Sequence, residues 1–86
     1  MLSSTLIIRG KAGLHTRPAS RLVKLAKGFD ATIELSHSDQ KASARSIIQL
    51  LKLGVTKGSE ITLTVSGNNP QPAFDEIHQF LSALED

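Results

Sequence analysis

Seven residues, Glu60 to Ser66, constrain the fold most. Ile61, Leu63 and Val65 alternate with Thr62 and Thr64. A strand with that period of two has one covered face and one wet face. The covered face needs helices with one apolar stripe, and the chain supplies them. Pro18 to Lys27 carries Ala19, Leu22, Val23 and Ala26 at helical spacing, and Gly28 stops it. Pro72 to Leu84 carries Ala73, Phe74, Ile77, Phe80, Leu81 and Leu84. Asp75 and Glu76 suit the positive N-terminal end of that helix, and His78 has no evident partner and is expected at the surface.

The remaining elements fall between these. Leu2 to Arg9 is a strand candidate in which Leu6 and Ile8 face one way, ended by Gly10-Lys11-Ala12-Gly13. Phe29 to Leu35 is a second strand with Ile33 and Leu35 inward. Ser36 to Gln40 is a polar turn in which His37 is expected to be solvated. Lys41 to Ala44 is a short strand at a sheet edge, where a lysine discourages further pairing. Ser46 to Leu53 is a short helix with Ser46 as its N-cap. Gly54 and Gly58 bracket a turn, and Gly67-Asn68-Asn69-Pro70 forms a loop. The order is βαββαβα, and the expected fold is a two-layer α/β sandwich, a single domain over residues 1–86. There is no internal repeat, linker or low-complexity segment.

The chemistry concentrates in Gly13-Leu14-His15-Thr16-Arg17-Pro18-Ala19. Pro18 marks the first turn of a helix, with Thr16 as the N-cap or its neighbour. His15 then lies where unpaired backbone N–H groups and the positive dipole end favour an anion, above all phosphate. Arg17 adds a fork of donors suited to phosphate oxygens. An imidazole that titrates near neutrality is a usable nucleophile, so the stretch suggests a histidine that accepts a phosphoryl group. The same seven residues also suit a solvated histidine that merely borders a helix.

Charge and hydrophobicity add a surface. The net charge is only +2, but all ten Lys and Arg lie between Arg9 and Lys57, and five acids and no base follow. The outer face of the first helix carries Arg17, Ser20, Arg21, Lys24 and Lys27, a basic stripe that begins at the histidine. It reads either as a solvated face or as a docking surface for acidic partners. The Ser46–Leu53 helix is apolar on more than one face, so Ile47, Ile48 and Leu51 are expected to be exposed as a docking patch beside His15.

The Gly13–Ala19 stretch resembles the active-site signature of the HPr family, the histidine phosphocarriers of the phosphoenolpyruvate-dependent sugar phosphotransferase system. Ala42-Ser43-Ala44-Arg45-Ser46-Ile47-Ile48 and Leu53-Gly54-Val55-Thr56-Lys57-Gly58 resemble its second signature, and the likeness runs from about Thr5 to Leu84. The resemblance implies an open-faced sandwich of three helices on one face of a four-stranded antiparallel sheet. It implies that enzyme I, phosphorylated from phosphoenolpyruvate, transfers its phosphoryl group to Nδ1 of His15, with Arg17 offsetting phosphate charge. The group then passes to an enzyme IIA, and the catalytic machinery lies mostly in these partners, so the protein is a carrier rather than an enzyme. It further implies a regulatory site at Ser46, where Gram-positive members are phosphorylated by an HPr kinase/phosphorylase. Structural capping by Ser46 is the alternative.

Other readings fare less well. A nitrogen-branch member of the family would share the His15 chemistry. An RRM-like nucleic-acid module shares the element order but needs exposed aromatics on its sheet, and the chain has three Phe and no Tyr or Trp. A hydrolase would need an acid or metal beside the histidine. No Cys, carboxylate cluster or metal-ligand set suggests a metal or cofactor. No apolar run approaches membrane-spanning length and no signal-peptide pattern precedes the first strand, so a cytoplasmic monomer without membrane insertion is expected.

Overall fold

The computed structural model describes residues 1–11 and 13–84. It contains β1 (Leu2–Ile7), α1 (Thr16–Lys27), β2 (Thr32–His37), β3 (Gln40–Ser43), α2 (Ile47–Lys52), β4 (Glu60–Ser66) and α3 (Pro70–Ser82). The strands form one antiparallel sheet in the order β1-β4-β2-β3. The alternation of β4 explains its central place. Ile61, Leu63 and Val65 are all buried, while Thr62 and Thr64 on the opposite face are half-buried. Leu35 pairs with Leu63 and Ile33 with Val65, so the apolar residues of β2 and β4 form one continuous inner face. The outer face is rich in hydroxyls, with Thr5 opposite Thr62 and their Oγ1 atoms 3.3 Å apart. The expected open-faced sandwich is therefore found.

The helices cover the inner face. Leu22 and Ala26 of α1 and Ile77 and Leu81 of α3 are fully buried, and α2 contributes Leu50. Each such Leu or Ile side chain contributes about 1.5–3 kcal/mol relative to an exposed one, and Ala26 less. Phe74 and Phe80 pack against this core only in part.

Several boundaries and partners differ from those expected of the sequence. β1 stops at Ile7 rather than Arg9, and β2 starts at Thr32 rather than Phe29. The break proposed at Gly10–Gly13 includes Ala12, which lies outside the described residues. α1 ends at Gly28 with φ −78°, so this glycine closes the helix without the left-handed conformation usual at such ends. α3 begins at Pro70, so Asp75 and Glu76 fall beyond its first turn and do not face its N-terminal amides. Asp75 instead accepts a hydrogen bond from Gln71 Nε2 at 2.8 Å. His78 has partners after all, Ser82 Oγ at 3.4 Å from Nδ1 and the Phe74 ring at 5.7 Å between centroids.

His37 is the larger correction. The β2–β3 turn is only Ser38-Asp39, with Ser38 at φ +56°, so His37 is the last residue of β2 and pairs with Gln40. Its ring is half-buried and bonds to the Leu53 carbonyl at 2.8 Å.

Candidate functional site

The loop before α1 is held at both ends and free in the middle. At its near end the Ile8 N–H donates to Ser59 O at 2.9 Å and the Gly58 N–H to Ile8 O at 2.7 Å. The chain then turns, with the Gly13 N–H on Gly10 O at 3.0 Å. Gly13 adopts φ +65°, and its Cα faces the backbone of Val55 and Thr56 so closely that no side chain fits. Leu14 is buried, and its N–H donates to Val55 O at 3.2 Å. At the far end Pro18 and Ala19 are buried. Between the buried Leu14 and Pro18, the three residues His15, Thr16 and Arg17 are exposed.

His15 is the N-cap of α1, with φ −107° and ψ −162°. Thr16, expected as the N-cap or its neighbour, is the first helical residue. The His15 side chain makes no capping hydrogen bond, so its ring is not engaged by the helix it precedes. Its carbonyl accepts the Ala19 N–H at 2.9 Å. Pro18 has no N–H to offer. The amides of Thr16 and Arg17 have no intrahelical carbonyl to reach and stand at the positive end of the helix dipole. A nucleophilic ring, two outward amides and an exposed guanidinium thus occupy three consecutive residues.

Two surfaces run from this point. Along α1, Arg17, Arg21, Lys24 and Lys27 are exposed and Ser20 is half-buried. On α2, which packs against α1, Ile48 is 67% exposed and Leu51 39%. Ile47 departs from expectation. It is half-buried and packs on the core, so the apolar surface of α2 is narrower than its sequence implied. Ser46 caps α2 as expected, its Oγ accepting the Gln49 N–H at 3.3 Å.

The segment from Val55 to Ser59, which the sequence marks only as part of a family signature and as a turn after Gly54, forms the floor beneath the His15 loop. The signal was present in Gly13 and Gly54, both at positive φ. Arg45, which the sequence marks only as part of the same signature, has a structural role. Its Nη2 donates to Phe29 O and ties the end of α1 to the entry of α2. Among the described residues no group of three His, Cys, Asp or Glu could hold a metal ion. Among them, too, no helix is long and apolar enough to cross a membrane.

The family model described as "PTS HPr component phosphorylation site" matches residues 2–83. The phosphocarrier protein HPr of Vibrio cholerae is 36% identical over 84 residues, covering 98% of this chain and 99% of that protein. The phosphoryl donor subunit DhaM of the phosphoenolpyruvate-dependent dihydroxyacetone kinase of Providencia stuartii is 38% identical over 78 residues. That match covers 91% of this chain, which spans only 16% of the DhaM length. The crystal structure of HPr-C-His from Thermoanaerobacter tengcongensis superposes with a TM-score of 0.91 at 30% identity, covering 96% of this chain and 93% of that one. The chain belongs to the HPr family of phosphocarrier proteins.

Proposed function

We propose that the protein accepts a phosphoryl group from phospho-enzyme I on His15 and passes it to a sugar-specific enzyme IIA. The observation that carries this reading is the exposed, uncapped ring of His15 between the buried Leu14 and Pro18, beside Arg17 at the start of α1. In the transfer the ring nitrogen forms a bond to phosphorus as the bond to the donor breaks. Arg17 and the Thr16 and Arg17 amides offset charge on the equatorial oxygens. Their solvent exposure keeps that stabilisation modest, which suits a carrier. An interaction that held phosphohistidine in its ground state would slow the onward step.

Docking in this reading uses the basic face of α1 (Ser20, Arg21, Lys24 and Lys27) and the narrower apolar patch of α2 (Ile48 and Leu51), with the half-buried Ile47 beneath it. Opposite charge on the partners speeds encounter, and the apolar patch supplies the contact core. Ser46 lies at the edge of that patch. A phosphate placed there by a kinase would put about two negative charges beside the docking surface.

A second reading is favoured by the DhaM match, in which the onward acceptor belongs to a dihydroxyacetone kinase system. A nitrogen-branch role is the third. The test is to load the protein with phosphate from phosphoenolpyruvate and enzyme I, then offer it separately to a sugar IIA, a nitrogen-branch IIA and the dihydroxyacetone kinase components. Fastest discharge to the sugar IIA is expected. Preferential discharge to either of the others overturns the sugar assignment and leaves the His15 chemistry standing.

A further inference from the structure

We infer that His37 is a positioning residue for the His15 loop, acting through the end of α2. The inference rests on His15 being the phosphate acceptor. The chain of contacts starts at the His37 ring, whose Nδ1 lies 2.8 Å from the Leu53 carbonyl. A carbonyl oxygen can only accept, so Nδ1 carries the hydrogen and donates it. Leu53 is the C-cap of α2, where carbonyls lack intrahelical donors. The helix itself is six residues long and grips its last turn weakly, with Leu53 N–H on Leu50 O at 3.2 Å and Gly54 N–H on Leu51 O at 3.5 Å.

Beyond Leu53 the backbone reverses at Gly54, φ +68°, and reaches Val55. The Val55 carbonyl accepts the Leu14 N–H at 3.2 Å, and its backbone is the wall against which Gly13 is pressed. Leu14 is the residue before His15. The far end of this segment is fixed independently, by the bonds of Gly58 and Ser59 to Ile8 of the first strand's exit. The near end is fixed by α2 and by His37. One side-chain bond from the β2–β3 hairpin thus holds the carbonyl two residues upstream of the one that seats Leu14. Neither the α1 face nor the exposed part of α2 takes part, so the ring affects the placement of His15 and leaves partner docking alone.

The test compares His37→Ala with His37→Asn. The Asn Nδ2 stands the same number of bonds from Cα as the His Nδ1 and can donate to the same carbonyl. With phospho-enzyme I as donor, His37→Ala is expected to lower kcat for phosphorylation of His15 roughly tenfold with KM unchanged, because small misplacements of a reacting group are costly. His37→Asn is expected to restore most of the rate. Hydrogen exchange supplies the second readout. In His37→Ala the Leu14 amide loses protection, while the Leu63 and Val65 amides in the central strand keep theirs. An Ala variant with wild-type kcat overturns the inference, as does an Asn variant no better than Ala, or a loss of protection spread evenly over the sheet. A wild-type protein that takes no phosphate on His15 overturns the phosphocarrier reading and this inference with it. An active wild type with an unaffected Ala variant overturns this inference alone.

Discussion

Replacing Gly13 with alanine should damage the protein far more than the same change at Gly54. The two glycines have nearly the same backbone conformation, φ +65° and +68°. For an L-residue each then costs about 1–2 kcal/mol from φ alone. Their surroundings differ. A Cβ at Gly54 meets nothing within 4 Å. At Gly13 it would lie 2.6 Å from Thr56 Cα and 2.9 Å from the Val55 carbonyl carbon, and it would also overlap the Val55 oxygen. These are backbone atoms and cannot swing aside, so the loop must lift. Lifting it gives up the Leu14–Val55 hydrogen bond, about 0.5–1.5 kcal/mol, and much of the burial of Leu14, about 1.5–3 kcal/mol. The total for Gly13→Ala is roughly 3–6 kcal/mol, against about 1–2 for Gly54→Ala. The chain has no Trp or Tyr, so urea unfolding is best followed by far-UV circular dichroism. Phosphorylation of His15 by phospho-enzyme I should fall at least tenfold in Gly13→Ala under conditions where the variant remains folded. Equal destabilisation by the two substitutions would refute the close approach of the His15 loop to Val55.

Three other outcomes follow from the same geometry. Ser46→Ala removes the acceptor for the Gln49 N–H and should lower stability by about 1 kcal/mol in denaturant titration, with α2 the first element to lose amide protection. Ile48→Glu changes a side chain that is 67% exposed, so the unfolding midpoint should barely move while KM with phospho-enzyme I rises; loss of the fold would instead place Ile48 in the core. The association rate with phospho-enzyme I should fall steeply as ionic strength rises from about 0.01 to 0.15 M, as the Debye length shrinks from about 30 to 8 Å, and the fall should be shallower in Lys24→Gln/Lys27→Gln; a flat salt profile would count against steering by α1.

Local signals in the chain carried most of the fold. The alternation of Glu60–Ser66 placed β4 at the interface of two layers, and the Ala19–Leu22–Val23–Ala26 spacing gave the buried stripe of α1. Ser46 was legible as a cap because its hydroxyl bonds to an amide three residues away. The failures share a cause. His37 sits in turn-like sequence, but its partner Leu53 is brought to it by the packing of α2 on β3, which no local pattern encodes. Ile47 belongs to an apolar run whose division between core and surface depends on how a six-residue helix is rolled. Asp75 and Glu76 looked like first-turn residues only because Pro70 read as loop, although proline is as much at home at the first helical position.

The same division applies to the site. The residues of the His15 loop were legible, since histidine, arginine and proline declare their chemistry in one dimension. The contact of that loop with the Val55–Ser59 segment was not. Gly13 and Val55 come from distant parts of the chain, and their contact exists only because β1 and β4 are antiparallel neighbours, so that the loop after β1 meets the segment before β4.

The most direct measurement is the intact mass of the wild type and of His15→Ala after incubation with phosphoenolpyruvate and a catalytic amount of enzyme I. One added phosphoryl group is expected on the wild type, lost on mild acid treatment, and none on the variant. His37 and His78 serve as internal controls, since both rings have their Nδ1 in contact with other groups of the fold. A phosphoryl group that persists in His15→Ala would place the acceptor elsewhere and overturn the role of His15.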